Sequence, residues 1–264
     1  MKPKLMFFDI DGTLLTEDTH IIPESTKKAL KAAQEKGHLT FINTGRPFVS
    51  VDDFIKELNF DGYICGCGTY IIYKDKVLLN EKLGQPLCRE IVKKLRECRI
   101  DAVLEGHDEL YYDKDEYIRS EYLLSLKKRH KETKLYRGKD FDDKNLHFDK
   151  LTIFGDDTSN FSTFMEEFKN VFEFIKRGEN FYELVPLNYS KASGIKFMED
   201  YLNISHDYTY AFGDSTNDLS MLKYVKNSVA MGNSSKELLT EVSFITKDIN
   251  DNGIEYALKH FEII

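Results

Sequence analysis

Hydrophobic residues recur along the first sixty positions in the pattern of a parallel α/β sheet. The run Leu5-Met6-Phe7-Phe8 is apolar on both faces and stops at a polar turn, which predicts a fully buried strand. A helical pattern over 23–37 follows, with proline in its first turn and glycine past its end. Leu39-Thr40-Phe41-Ile42 predicts a second buried strand, and a second helix is expected from about Pro47 to Leu58. This alternation indicates parallel strands joined by right-handed crossovers.

The alternation of strand and helix patterns breaks off after Gly62 and resumes at Ser190. Between them lie short strands, a hairpin and an irregular mixture of helices and strands, which is typical of an α+β block. After Ser190 a helix, the buried strand 208–212 and another helix restore the α/β pattern. We therefore predict an α/β fold with a Rossmann-like parallel-sheet core and an inserted α+β domain. The predicted ranges are 1–82 and 188–264 for the core and 83–187 for the insertion.

Carboxylates follow two of the predicted buried strands directly. Asp9-Ile10-Asp11-Gly12-Thr13 comes after the first strand, and Gly213-Asp214-Ser215-Thr216-Asn217-Asp218 comes after strand 208–212. Ligands of open α/β sheets bind at the carboxyl ends of the strands. A lone Asp-Gly would be a turn or a helix cap, but two aspartates one residue apart at a strand end favour a functional site.

Two further signals are weak alone and gain weight together. Asn43-Thr44-Gly45-Arg46 follows the second buried strand with a hydroxyl and backbone N–H groups near a helix start, which suits an anionic oxygen. Lys191 lies at a helix start, where the helix dipole disfavours a cation. The four segments supply carboxylates for a hard cation such as Mg²⁺, a hydroxyl donor and an ammonium group. Phosphoryl transfer uses such groups, and a carboxylate can be its covalent nucleophile.

The composition of the chain disfavours several classes of binding partner. The 264-residue chain has a formal net charge of −8, which disfavours nucleic acid and anionic membranes as partners. No apolar run approaches the length of a membrane span, and no signal peptide is recognisable. The four cysteines lack zinc-site spacing and are expected to be reduced thiols. We predict a cytoplasmic protein; the sequence leaves its oligomeric state open.

The four segments, in this order, resemble the motifs of the haloacid dehalogenase (HAD) superfamily of phosphohydrolases, specifically the Cof-type, sugar-phosphatase-like subgroup. The resemblance brackets almost the whole chain. It implies that Asp9 attacks phosphorus and that Asp11 serves as acid and then as base. It also implies a phosphate-binding group, a metal-binding group and Mg²⁺ as the cofactor. The implied phosphate-binding residues are Thr44, Gly45, Arg46, Lys191 and Asn217. The implied metal-binding residues are Asp9, Asp11 through its backbone carbonyl, Asp214 and, in support of the metal, Asp218.

Spacing places the inserted domain within this family. Only the 32 residues 12–43 separate Asp11 from Thr44, which leaves room for a turn, a helix and a strand but not for a lid domain. The insertion between Gly45 and Lys191 matches the family's C2 cap position, and a cap there is expected to close over the site. One departure is Cys67-Gly68-Thr69, where Cof-type members commonly carry Asn-Gly-Ala; it puts the usual substrate class in doubt.

Three functions remain open at this point. The leading interpretation is a Mg²⁺-dependent phosphomonoester hydrolase acting on a sugar phosphate or similar metabolite through an aspartyl phosphate. A phosphomutase would use the same pair of aspartates. A non-catalytic metabolite-binding or regulatory protein could keep the fold, although the intact motif residues argue against it.

Overall fold

The structure, a computed structural model, describes residues 2–264 and divides into two compact units. The first unit comprises the chain up to Arg46, together with Asp52–Leu79 and Tyr189–Ile264. The second unit comprises Pro47–Val51 and Asn80–Asn188. The predicted α/β class is confirmed, since a large, mostly parallel sheet alternates with helices in the first unit.

The strands and helices follow one another as the alternating pattern indicates. In chain order the strands are β1 Leu5–Phe8, β2 Leu39–Asn43, β3 Gly62–Cys65, β4 Tyr70–Tyr73, β5 Lys76–Asn80, β6 Asp101–Glu105, β7 Leu110–Tyr112, β8 Lys150–Phe154, β9 Phe172–Gly178, β10 Phe181–Pro186, β11 Thr209–Gly213, β12 Asn227–Ala230 and β13 Phe244–Ile245. The helices are α1 Glu24–Glu35, α2 Asp53–Lys56, α3 Gln85–Glu97, α4 Glu121–Glu132, α5 Phe161–Phe168, α6 Lys191–Leu202, α7 Leu219–Tyr224, α8 Lys236–Leu239 and α9 Gly253–His260. Within residues 2–264, no helix is both long enough and apolar enough to cross a bilayer.

The first unit is built on an eight-stranded sheet in the order β13-β12-β11-β1-β2-β3-β4-β5. The strands from β13 to β3 are parallel, and β4 turns back antiparallel to β3. Strand β1 is buried on both faces, as its unbroken apolar run predicts. The rings of Phe8 and Phe212 stack across β1 and β11 at 4.5 Å. The carboxyl ends of β11, β1 and β2 are therefore adjacent along one edge of the sheet.

The second unit is an antiparallel sheet in the order β7-β6-β8-β10-β9. One face packs against α3 and α5 through an apolar core that includes Ile91, Phe164 and Leu151. Alternation along the strands sends the neighbouring positions to the other side of the sheet, and Glu105, Lys150 and other charged residues occupy it. The two-residue period of the strands thus separates an apolar core from a row of buried charges.

The prediction of a helix from about Pro47 to Leu58 is wrong. The structure has a short 3₁₀ turn at Phe48–Ser50 and one turn of α-helix, α2, at Asp53–Lys56. Pro47–Val51 belongs instead to the second unit, where the Val49 N–H donates to the His107 carbonyl at 2.8 Å. Tertiary contacts of a proline- and valine-containing segment override a weak helical pattern here.

Candidate active site

The aspartates and the threonine of the motifs meet at one edge of the first unit's sheet. Asp9 follows β1, Thr44 follows β2 and Asp214 follows β11. The register pairs Phe8 with both Ile42 and Phe212, so the three strands end within one residue of the same level. Adjacent parallel strands that end so close together bring the residues that follow them to one edge of the sheet.

Lys191 reaches this edge from the first turn of α6. The Ser190 side chain accepts a hydrogen bond from the Ser193 N–H at 3.1 Å, and the Ser193 hydroxyl in turn accepts from the Ser190 N–H at 2.9 Å. This capping box fixes where the helix begins. The Asn43 side-chain amide donates to the Lys191 carbonyl at 2.9 Å and ties the helix start to the end of β2. The local sequence therefore determines where the lysine emerges.

The ammonium of Lys191 is buried between two carboxylates. Its Nζ lies 2.7 Å from Asp9 Oδ1 and 2.6 Å from Asp218 Oδ1, and the side chain is 1% exposed. Burial opposes the charged form, but Asp218 and Asp9 outweigh it and raise the pKa of Lys191. The lysine is therefore a fixed positive charge, and the two carboxylates offset the cost that the helix dipole and burial impose on it.

Asp9, Asp214 and Asp218 form a buried acidic cluster. One carboxylate oxygen from each lies within 4.8 Å of the other two. Burial, followed by the charge of Asp218, raises the pKa of Asp9 even though Lys191 opposes the shift. Burial and then the charges of Asp218 and Asp9 raise the pKa of Asp214 to about 8. A divalent cation would relieve this crowding of negative charge, and carboxylate oxygens are the ligands that Mg²⁺ prefers. The donor set therefore fits a hard divalent cation.

Asp214 is held close to the loop that carries Asp9 and Asp11. The Thr13 hydroxyl donates to Asp214 Oδ1 at 2.8 Å. Gly12 has φ of +74°, and a Cβ at this position would lie 2.3 Å from Asp214 Oδ2. Only glycine allows both the left-handed turn and the close approach of Asp214.

Hydrogen bonds engage both carboxylate oxygens of Asp218. Oδ1 accepts from Lys191, and Oδ2 accepts from the backbone N–H groups of Asp214 at 2.9 Å and Ser215 at 3.1 Å. Asn217 lies in the same turn, where its side-chain oxygen accepts from the Ser215 hydroxyl at 2.5 Å. Asp218 thus holds the Lys191 ammonium and the backbone of the turn after β11.

Asp11 lies at the rim of the site and pairs with Arg46. The guanidinium donates from Nε to Asp11 Oδ2 at 2.9 Å and from Nη2 to Asp11 Oδ1 at 2.5 Å. The third nitrogen, Nη1, donates to Asp52 Oδ2 at 2.9 Å. Although burial lowers it, these bonds to Asp11 and Asp52 raise the pKa of Arg46. The structure therefore places Arg46 against two carboxylates.

Thr44 and Gly45 complete the edge. Thr44 is 1% exposed, and its hydroxyl oxygen accepts from the Arg46 N–H at 3.2 Å. Its carbonyl accepts from the Cys67 N–H at 3.1 Å. The threonine therefore lies between the Arg46 turn and the loop that contains the unusual cysteine.

Cys67 occupies a left-handed turn beside these residues. Gly66, Cys67 and Gly68 have φ of +59°, +56° and +97° in succession. A Cβ on Gly68 would lie 2.6 Å from the Ser190 carbonyl oxygen, so this turn packs tightly on the start of α6. Asparagine and glycine adopt such a conformation more readily than cysteine does. The departure from the Asn-Gly-Ala pattern therefore falls on a turn that contacts the lysine-bearing helix.

Sequence patterns alone missed two residues at the site, Asp52 and Asn233. The Asn233 side chain donates to the Gly12 carbonyl at 2.8 Å and accepts from the Ile249 N–H at 3.0 Å, which fixes the loop after β1. Its position shortly after β12, at the same sheet edge, was the available signal. Asp52 offered none, because its partner Arg46 is fixed only by the tertiary structure.

The comparison with protein families decides the identity. The sequence profile described as haloacid dehalogenase-like hydrolase matches residues 6–258. The chain belongs to this family. Its Cof-type motifs and the phosphatases among its relatives make it a phosphatase of the HAD superfamily.

Named relatives and solved structures agree with this membership. The Bacillus subtilis (strain 168) protein named "Putative phosphatase YkrA" is 32% identical over 268 residues, covering 100% of both chains. Another B. subtilis (strain 168) protein, 5-amino-6-(5-phospho-D-ribitylamino)uracil phosphatase YwtE, is 25% identical over 281 residues, with 97% of this chain and 96% of YwtE covered.

Among solved structures, a hypothetical protein from Geobacillus kaustophilus HTA426 superposes with a TM-score of 0.85 at 25% identity, and both chains are covered completely. The HAD subclass IIB sugar phosphatase BT4131 has a TM-score of 0.83 at 26% identity, with 99% of this chain and 100% of that chain covered.

Proposed function

We propose that this HAD phosphatase is a Mg²⁺-dependent phosphomonoester hydrolase that acts through an aspartyl phosphate on Asp9. The observation that carries the proposal is the environment of Asp9, whose carboxylate is buried, paired with Lys191 at 2.7 Å and close to Asp214. A buried carboxylate next to a fixed cation and a candidate metal site is suited to attack an anionic phosphate, because the surrounding charges offset the repulsion.

The proposed reaction has two steps on the same carboxylate. An Asp9 oxygen attacks phosphorus, the bond from phosphorus to the leaving oxygen breaks, and Asp11 donates a proton to that oxygen. Asp11 then accepts a proton from water, the water oxygen attacks phosphorus, and the bond to Asp9 breaks to release inorganic phosphate. Asp11 is half exposed at the rim, where it can exchange a proton with an entering substrate.

The phosphate-binding group follows from the positions of the remaining residues. We assign Thr44, Gly45, Lys191 and Asn217 to contacts with the phosphoryl oxygens. The guanidinium of Arg46 is engaged by carboxylates, so we assign it an effect on the phosphate through Asp11. Lys191 has the clearest support, since it is a buried cation at the level of Asp9.

Mg²⁺ is the proposed cation, held by Asp9, Asp214 and the backbone carbonyl of Asp11. Asp218 supports it indirectly, because both of its oxygens are engaged by other donors. When bound, the cation would neutralise charge on the transferring phosphoryl group and on the acidic cluster.

We infer that the substrate is a small phosphorylated metabolite with an alkyl leaving group, namely a sugar or sugar-alcohol phosphate. Support comes from YwtE, named for a phosphoribityl substrate, and from BT4131, described as a sugar phosphatase.

We assign residues 83–187 as the C2-type cap and residues 1–82 and 188–264 as the core. The compact unit that runs from Asn80 to Asn188 supports this division. Four buried cysteine thiols support the proposed cytoplasmic location.

A phosphate-release screen over phosphorylated metabolites, with Mg²⁺ or with EDTA, tests the proposal. The parent is expected to release phosphate only with Mg²⁺, and Asp9→Asn is expected to lose about 10³-fold or more of kcat. Asp53→Asn is the matched control, because Asp53 is 94% exposed and pairs with Lys56 only at the surface.

Other outcomes identify the alternatives. An isomerised sugar phosphate in place of free phosphate would indicate a phosphomutase. Binding of metabolites without turnover would indicate a regulatory protein. Asp9→Asn hydrolysing as fast as the parent would refute the proposed nucleophile.

A further inference from the structure

The chain leaves the first unit after Arg46 and returns at Asp52. The five residues between them, Pro47–Val51, belong to the second unit. The two flanking side chains nevertheless meet, since Arg46 Nη1 lies 2.9 Å from Asp52 Oδ2. This ion pair joins the two residues that flank Pro47–Val51. It also fixes the Arg46 guanidinium at the point where the backbone leaves the first unit.

The same guanidinium holds the Asp11 carboxylate. Arg46 donates two hydrogen bonds to Asp11, from Nε at 2.9 Å and from Nη2 at 2.5 Å. A guanidinium is a rigid, planar fork, so fixing one of its nitrogens fixes the direction of the other two. Asp52 therefore constrains the direction in which Arg46 presents its other two nitrogens to Asp11.

We propose that Asp52 is a positioning residue for the acid–base function of Asp11 and acts through Arg46. This inference rests on the proposed function, in which Asp11 protonates the leaving oxygen. A carboxylate has about four lone-pair sites, so two oxygens that each accept one bond from Arg46 still have a site for the transferred proton. The Arg46 guanidinium thus orients the Asp11 carboxylate and still allows it to exchange a proton.

Loss of this orientation has a chemical signature. A poor alkyl leaving group needs a proton from Asp11 as its bond to phosphorus breaks, whereas p-nitrophenolate leaves without one. A defect in positioning Asp11 therefore slows leaving-group release from an alkyl phosphate more than from p-nitrophenyl phosphate. A general loss of folding or of phosphate binding slows both equally.

The test is single-turnover leaving-group release with Mg²⁺, on p-nitrophenyl phosphate and on an alkyl phosphate that the parent hydrolyses. For Asp52→Ala we expect about a 10-fold slower release from the alkyl phosphate and less than about a 3-fold change with the aryl phosphate. Asp52→Asn should recover part of the loss, because its amide oxygen can still accept from Arg46. Asp53→Ala, at the neighbouring exposed position, should match the parent on both substrates.

The substitution is expected to leave the fold intact. Asp52 is half exposed and precedes α2, but its side chain makes no capping hydrogen bond to that helix. Thermal unfolding of each variant checks this directly. The position therefore allows the effect on Asp11 to be separated from an effect on stability.

A double-variant cycle assigns the effect to Arg46. In an Arg46→Ala background, Asp52→Ala should cause no further loss, since the residue through which it acts is gone. Equal losses on both substrates, an undiminished effect in the Arg46→Ala background, or a parent-like Asp52→Ala would each overturn the inference. Any of these with an active parent refutes the role of Asp52 alone, whereas an inactive parent refutes the proposed function itself.

Discussion

Burying the Lys191 ammonium costs free energy, but the ammonium supplies a positive charge beside Asp9. Its ammonium is 1% exposed and lies at a helix start, where both burial and the helix dipole disfavour it. Asp9 and Asp218 compensate by pairing with it at 2.7 and 2.6 Å. The three side chains are interdependent, because removal of the cation leaves two buried carboxylates without a counter-charge.

Lys191→Met is therefore expected to destabilise the metal-free protein by about 3–5 kcal/mol near neutral pH. Lys196→Met is the control on the same helix, since Lys196 is 62% exposed and pairs only with Asp200; its expected effect is within about 0.5 kcal/mol. Urea unfolding of both variants measures the difference. Equal losses would contradict the interpretation of Lys191 as a compensating buried charge.

At the scale of elements, strands β6, β8 and β10 share a row of buried charges in the second unit. Lys150 Nζ lies 2.9 Å from both Glu105 Oε2 and Glu183 Oε1, and Arg177 also pairs with Glu183. Burial opposes the ionised form of Glu183, but Lys150 and Arg177 outweigh it and lower the pKa of Glu183 to about 2. Such a network requires these strands to be in register, because one residue of slip would turn each charge into the apolar core.

This network predicts a loss of stability in acid. Because the pKa of Glu183 is lower in the folded chain than its ordinary value of 4.5, the ionised pair stabilises the fold above that value. The contribution, about 3 kcal/mol at most, is lost as the pH falls from 4.5 towards about 2. Urea unfolding between about pH 7 and pH 3 measures it.

Glu183→Gln should lower the free energy of unfolding near neutral pH. It should also make that free energy fall less steeply as the pH is lowered. Glu173→Gln, at an exposed position of β9, should leave the profile unchanged. An acid limb as steep in Glu183→Gln as in the parent would show that other carboxylates cause the loss.

At the scale of the whole molecule, the acidic cluster is expected to link stability to the proposed cation. Asp9 and Asp214 have raised pKa values through burial first and then like charges, so their ionised forms destabilise the metal-free fold as the pH rises. A cation that binds only the folded protein reverses this effect. The proposed cation site would thus couple folding to metal occupancy.

We expect Mg²⁺ at about 100 times its Kd to stabilise the protein by about 2.7 kcal/mol, measured as a rise in Tm that EDTA reverses. Asp214→Asn should abolish the rise. Asp207→Asn should retain it, because Asp207 is 65% exposed and pairs with Lys226 away from the cluster. A rise of the same size in Asp214→Asn would place the cation elsewhere.

Much of the fold was readable because its signals are local. The buried run before Asp9, proline and glycine at the ends of α1, and acids directly after apolar strands each follow from a few adjacent residues. A parallel sheet then brings those strand ends to one edge whatever the rest of the chain does. Asp9, Asp11, Thr44 and Asp214 could therefore be grouped from the sequence.

Other features depended on contacts between distant segments. The helix expected over Pro47–Leu58 failed because Pro47–Val51 packs in the second unit, a preference that no local pattern encodes. The pairing of Arg46 with Asp52, and of Asn233 with Gly12, likewise arises only when the loops meet. The sequence by itself determined the α/β class and the acids at the strand ends, because strand period and strand direction are local properties. The tertiary structure decided which charges pair with those acids, because long side chains choose partners only among the neighbours that folding provides.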